Sequence, residues 1–332
     1  MSRSVARRVG LSVLATSLLV PPAAAETTGL TVGAGRPAGV YHPVTEIVAG
    51  LLTDGVEGLD IGIVSTGGSM ENLSRVAVGD LSMGIARSDV LNDALLGFGA
   101  FEGVEPMSDL RLLFALYAEP LVIIARADAG IASLDDLAGK TVNIGPAGSA
   151  SRTVLEQVLE AWEPAGEGLG AVEELPVEEQ VGALCDGRVD AIAFISATPT
   201  ATVAEALKAC ETVLVPIEGA PFTQILETQP HFVATTIPAG IYEGQAQDVQ
   251  TLGPVAAVVV GADMADDLAY RLTRALFERL DELDRLLPVV PGIGAEARTG
   301  GGLGAPLHPG AIRYYREADL LADDPGDAPA ED

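Results

Sequence analysis

Short apolar runs alternate with amphipathic stretches along most of the chain. Leu30-Thr31-Val32 predicts a strand entering the loop Gly33 to Tyr41, with Ile47, Val48, Leu51 and Leu52 at helical spacing behind it. The arrangement repeats with a strand over Leu59 to Val64, the turn Thr66-Gly67-Gly68-Ser69, and a helix carrying Leu73, Val76 and Ala77. Further strands are predicted at Met83 to Ala86, Leu110 to Leu116, Leu121 to Ile124, Thr141 to Ile144 and Ala191 to Ile195. The last three are Val213 to Val215, Phe232 to Thr236 and Val255 to Val260. Ser133 with Asp136 three residues on reads as a helix N-cap, and Ser151 to Trp162 reads as a helix. One long amphipathic helix is expected from Ala265 to about Leu287. Alternating strands and helices predict an α/β architecture with parallel sheets, whose ligands sit at the carboxyl ends of strands.

Both ends depart from this pattern. Arg3, Arg7 and Arg8 precede the apolar run Val9 to Val20, which Pro21 and Pro22 end before Ala23-Ala24-Ala25. That run is shorter than the ~20 residues needed to span a bilayer. Residues 1–25 therefore read as a signal peptide cleaved near Ala25, with a retained membrane anchor as the alternative. Export gives a periplasmic address. From about residue 321 the chain is acidic and Pro-containing, and disorder is expected there.

At 332 residues the chain exceeds a single ~150-residue core, so two lobes are expected. The formal charge is -28, from 19 Lys+Arg against 47 Asp+Glu. So few basic residues argue against nucleic acid and against anionic membrane surfaces. With 48% hydrophobic residues, the chain is not a solvated acidic tail. In an oxidising compartment Cys185 and Cys210 can pair in a disulfide; two buried thiols are the alternative. The histidines His42, His231 and His308 are scattered, so no metal site is expected.

Three times a predicted strand passes through a Gly-rich, hydroxyl-bearing loop into a helix. The loops are Gly33 to Tyr41, Ser65 to Ser69 and Gly145 to Ser151. Glycines let the backbone approach a ligand, and helix starts present free N–H donors, which suit a carboxylate or phosphate. No loop carries a P-loop lysine, and the first misses the dinucleotide spacing, so no nucleotide and no cofactor is expected. Arg36 in the first loop, Arg87 after the third strand and Arg152 after the third loop are candidate carboxylate partners, with structural ion pairs as the alternative. Tyr41 and Tyr117 are candidate pocket walls. No Gly-x-Ser-x-Gly elbow or Ser-x-x-Lys supports catalysis, leaving an exported hydrolase as a third reading.

Several stretches together resemble the TAXI family of solute receptors, the periplasmic components of tripartite ATP-independent periplasmic (TRAP) transporters. They are Gly39-Val40-Tyr41, Ser65 to Ser69 with Asn72, Ser88-Asp89, Leu134 to Lys140, Gly145 to Ser149, Gly187 to Ala191, Ile237 to Tyr242 and Ala305 to Glu317. The resemblance implies a two-lobed periplasmic-binding-protein fold (type II-like), each lobe a mixed sheet flanked by helices around a cleft. One lobe would comprise 26–121 plus 240–332 and the other 122–239, with crossings near Leu121 to Arg126 and Phe232 to Gly240. It implies a monomeric, non-enzymatic receptor that captures a small organic anion, such as glutamate, 2-oxoglutarate or a related dicarboxylate, for a membrane permease. A binding protein of an ABC importer or sensor kinase is the alternative with the same fold. Carried over by position, the site comprises Gly39, Tyr41, Thr66, Ser69, Asn72, Ser88, Ser149 and Ser151. Three positions depart from the family pattern: Arg87 where Gln is frequent, Ala150 where a second Gly is usual, and Thr198-Pro199, which lacks a nearby Gly. With Arg36, Arg87 and Thr198 these complete the expected ligand-binding set, Arg87 being the expected partner of a second carboxylate.

Overall fold

The computed structural model describes residues 27–162, 168–290 and 292–321. The signal-peptide reading of residues 1–25, and almost all of the acidic tail, lie outside them. In chain order the strands among the described residues are β1 (Thr28–Gly33), β2 (Leu59–Val64), β3 (Met83–Arg87) and β4 (Leu110–Ala118). They continue as β5 (Leu121–Arg126), β6 (Thr141–Asn143), β7 (Ala171–Glu173) and β8 (Ala191–Ile195). The last are β9 (Thr212–Val215), β10 (Phe232–Ile237) and β11 (Val249–Gly261). The first sheet has the order β10-β11-β3-β1-β2, with β4 also paired to β11; the second has the order β7-β6-β8-β5-β9.

Both sheets are mixed, where strand–helix alternation alone predicts parallel ones. β1 runs parallel to β2 and β3, and β6 parallel to β7 and β8, as connection through helices requires. β11 instead lies antiparallel to β3, β4 and β10, and β5 antiparallel to β8 and β9. β5 enters its sheet straight from β4 through the two-residue step Glu119-Pro120, with no crossover helix to reset its direction. β10, inside the segment expected to form the second lobe, gives its ladder to β11 in the first sheet.

Each sheet is covered on both faces, which explains why its central strands are continuous apolar runs. In the first, Val44, Val48, Leu52, Leu272, Leu276 and Tyr315 pack on one side, and Leu73, Leu91, Leu112 and Leu303 on the other. In the second, Leu134, Val142, Val154 and Trp162 face Ile124, Leu184, Val203 and Tyr242 across the sheet. The two sheets meet where β11 passes the β4–β5 step. The Thr251 hydroxyl donates to Leu121 O (2.6 Å), and Glu119 N donates to Pro254 O (2.8 Å). Gly253 makes this passage possible, since a Cβ there would collide with the Glu119 carbonyl.

The helix expected from Ala265 to about Leu287 is broken. Asp266–Phe277 and Leu280–Leu286 are separate helices, because Arg279 leaves the helical region (φ -127°, ψ 24°). The turn lets Leu283 and Leu287 reach the core that Leu272 and Leu276 already line. Ser133 and Asp136 form the expected capping box. Cys185 and Cys210 are bonded, with Cα atoms 5.7 Å apart, resolving the two alternatives for these residues. The bond ties the end of the helix Val177–Cys185 to the C-cap of the helix Ala201–Ala209. No helix of the described residues is long and apolar enough to cross a membrane.

Candidate functional site

The loops after β1 and β2, the ends of β3 and β4, and the end of β8 converge on one cleft of about 350 Å³. The first sheet contributes Gly35, Arg36, Gly39, Val40, Tyr41, Gly68, Ser69, Arg87 and Glu119; the second contributes Ile195, Ser196 and Ala197. The walls therefore come from the carboxyl ends of strands in both sheets, with helix starts at Tyr41 and Ser69 beside them. A larger groove of about 710 Å³ opens beside β10 and β11. Its charged lining residues are Glu218 and Asp248, without a cation or a Gly-rich helix start, so it does not suit an anion.

Five expected site residues line the cleft: Arg36, Gly39, Tyr41, Ser69 and Arg87. Arg36 is exposed at the rim. Half-buried Tyr41 approaches Ser69 through its hydroxyl (3.5 Å), and the Ser69 hydroxyl accepts a bond from Arg87 N (3.2 Å). That contact fixes the second helix start against the end of β3. Burial pushes the Tyr41 phenol well above its ordinary value.

Arg87 is buried and its fork is engaged. Nε donates to Asp89 Oδ1 (2.9 Å) and Nη2 donates to Asp89 Oδ2. Burial works against the guanidinium charge, but the Asp89 carboxylate holds its pKa above the usual value. Arg152 is likewise committed, to Glu156 (2.7 Å) and Glu174 (2.5 Å). Among the three arginines singled out by sequence, Arg36 alone has no carboxylate partner among the described residues.

The other six expected residues stand behind the walls. Thr66 Oγ1 accepts from Gly35 N (3.0 Å) and donates to Asn72 Oδ1 (2.6 Å). Fully buried Asn72 donates to Gly33 O (3.0 Å) and Ile85 O (2.7 Å), locking β1, β3 and the intervening helix together. Ser88 Oγ donates to His231 O (2.7 Å) and accepts from Val255 N (3.0 Å), tying the end of β3 to the crossing strands. Ser149 is an N-cap that accepts from Arg152 N (3.2 Å). Ser151 Oγ accepts from Ile195 N (3.0 Å), so the third loop holds the end of β8 instead of facing the cavity. Thr198 is buried and gives its carbonyl to Val290 N (2.7 Å).

Sequence reasoning missed Glu119 and Ser196. Glu119 is buried where β4 gives way to β5, and its carboxyl lies above the usual range. Burial is the main cause, with Asp89 adding to it while Arg87 and a Tyr41 hydrogen bond oppose it. The available signal was a single acid within the apolar run Leu110 to Arg126. Ser196 Oγ is buried without a hydrogen-bond partner among the described residues, as are Thr198 Oγ1 and the Tyr117 hydroxyl, whose phenol is pushed up by burial and by Glu119 and Tyr41. Of the three only Ser196 lines the cleft, and an unsatisfied hydroxyl there marks where a ligand atom or a water is needed.

With this geometry in view, two solved structures can be set beside it. A TctC solute binding protein from Polaromonas superposes with a TM-score of 0.57 at 13% identity, covering 91% of this chain and 100% of that one. The periplasmic aliphatic sulphonate binding protein SsuA from Escherichia coli gives a TM-score of 0.44 at 14% identity, covering 87% and 82%. At 13% identity the likeness to the TctC protein is one of fold alone, two mixed sheets flanked by helices. The sequence profile of the NMT1-like family matches residues 32–318, so the chain belongs to the NMT1-like family.

Proposed function

We propose that this protein is the periplasmic receptor of a TRAP transporter of the TAXI type, capturing a small organic anion and handing it to a membrane permease. The observation that carries the reading is the cleft itself. It lies between two sheets and is lined by residues of two Gly-rich helix starts, with Arg36, which has no carboxylate partner among the described residues, at its rim. Helix-start N–H groups and a guanidinium are the donors a carboxylate needs. A ligand touching both Ser69 and Ser196 would bridge the sheets and favour their closed arrangement, which a permease could distinguish from the open one.

The direct ligand contacts on this reading are Arg36, Gly39, Tyr41, Ser69 and Arg87, with Thr66, Asn72, Ser88, Ser149, Ser151 and Thr198 holding them in place. Residues 1–25 direct export and are cleaved near Ala25. The receptor acts as a monomer, in two lobes of 26–121 plus 240–332 and 122–239, without a cofactor. A thermal-shift screen of organic acids and amino acids tests the proposal. A true ligand at 100 times its Kd stabilises the protein by about 2.7 kcal/mol. Failure of every compound in both sets to shift the transition refutes it.

A further inference from the structure

We infer that the outer edge of β9 is a docking site for an extended, basic segment of a partner protein, which adds to the second sheet as a further strand. That edge and the cleft have no lining residue in common, so the site stands whichever acid the cleft takes. β9 ends its sheet, bonded to β5 on one side and to no strand on the other among the described residues. Its outward N–H and C=O groups are a template for another chain. Two other sheet edges are blunted: β7 is three residues long, and β2 carries Asp60 and Gly62 within its span. β9 reads Thr212-Val-Leu-Val215, with no charge, glycine or proline, and Val213 is exposed.

A wall stands opposite that edge. At one end Ile217 N donates to Gln250 O (2.9 Å), joining the chain after β9 to β11. Toward Thr212 a groove of about 460 Å³ separates β9 from residues 243–249. Both sides are held before any partner arrives. Cys210, bonded to Cys185, anchors the chain just ahead of β9. In the opposing loop the Gln245 amide donates to Ile237 O (3.1 Å) and Gln247 O (3.0 Å). A preformed groove spares a bound strand the cost of ordering its host. Leu207, Val213, Leu214 and Val249 offer it apolar contacts. Pro216, Gln247 and Asp248 also line the groove of about 710 Å³ beside β10, so the two grooves adjoin.

Charge selects the occupant. Lys208 neutralises Glu243 (2.7 Å), but Glu218 and Asp248 have no ion pair among the described residues, and no Lys or Arg lines either groove. The Asp248 carboxylate is met by a neutral donor, Ala239 N (2.7 Å), which leaves its charge intact. Two unneutralised acids beside an open strand edge favour Lys or Arg on the incoming strand. The same charges turn away the chain's own acidic tail and the identical edge of a second copy.

The test uses the exported chain after signal removal and an end-capped, dye-labelled octapeptide of alternating valine and arginine, followed by fluorescence anisotropy. One control carries glutamate for arginine. A second keeps every arginine but is N-methylated at alternate residues, which preserves charge and forbids strand pairing. The basic peptide should bind about tenfold tighter than either control and slow amide hydrogen exchange in β9. Val213→Lys, at an exposed position, should weaken binding about tenfold. Glu218→Gln combined with Asp248→Asn, which keeps the acceptor for Ala239, should do the same. Equal binding of either control, unchanged affinity in either variant, or protection confined to other strands overturns the inference. So does a concentration-dependent dimer that Val213→Lys dissolves, since the edge would then belong to a second copy. Should Val213→Lys not fold, the N-methylated comparison on the unaltered protein decides.

Discussion

Replacing Asn72 with alanine should cost this protein about 3–5 kcal/mol of stability. The side chain is fully buried and holds three partners: Gly33 O at 3.0 Å, Ile85 O at 2.7 Å and Thr66 Oγ1 at 2.6 Å. Alanine leaves two carbonyls and a hydroxyl short of a partner. An unmet buried polar group costs about 1–3 kcal/mol, and partial relaxation keeps the sum below the simple total. Glycine at two neighbouring positions belongs to the same arrangement. A Cβ at Gly84 would come within 2.8 Å of the Asn72 Cβ, and one at Gly33 would strike its amide oxygen. Urea unfolding followed by far-ultraviolet circular dichroism measures the loss. The only tryptophan, Trp162, sits in the second sheet's core, so its fluorescence reports separately on the part of the molecule left untouched. A loss under 1 kcal/mol would refute the claim that this amide braces the candidate site.

Three further outcomes follow from the same contacts. Arg87→Gln should destabilise by about 3–5 kcal/mol because it strands the buried Asp89, and adding Asp89→Asn should recover much of that in a double-mutant cycle of unfolding free energies. Reducing the Cys185–Cys210 bond, which closes a separation of 25 residues, should lower stability by about 3.5 kcal/mol, read as a drop in urea midpoint with and without reductant. The folded protein holds a proton on Glu119 more tightly than the unfolded chain does. Stability from this group is therefore full below the ordinary carboxylate pKa and is lost as pH rises through the raised one. Glu119→Gln should remove that loss, so the free variant gains on the parent as pH rises in parallel melts; a constant gap would count against it.

Ten of the eleven strands among the described residues were legible, most as plain apolar runs such as Leu110 to Leu116, while β7 (Ala171–Glu173), exposed throughout, left no such run and was missed. The Ser133 cap was legible because its partner lies three residues away. Strand direction was not. β11 runs antiparallel to three neighbours since it arrives from the other sheet, and no local pattern records that. The break at Arg279 was hidden for a related reason. Helical apolar spacing continues across it, and the turn exists to bring Leu283 to a distant core. At the site, glycine loops and Tyr41 could be read from local chemistry. Whether a hydroxyl faces the cavity or a neighbouring backbone N–H could not, as Ser151 and Ser196 show from opposite sides of one strand end. Arg87 stood open between a ligand contact and a structural ion pair, and the structure gives it the ion pair with Asp89, two residues on.

The placement of β11 also sets an order of assembly during synthesis. β5 through β9 are contiguous, from Leu121 to Val215, so the second sheet can close as soon as that stretch has been made. β3 and β4 must wait for Val255 to Gly261, more than a hundred residues later, before the strand between them exists. Until then the earliest-made part of the molecule keeps exposed strand edges and pairs only locally. The interior unit is thus able to mature before the unit that begins the chain. Pulse-labelled nascent chains stopped near residue 240 should show a protease-resistant fragment from the middle of the sequence, while their N-terminal region is still digested.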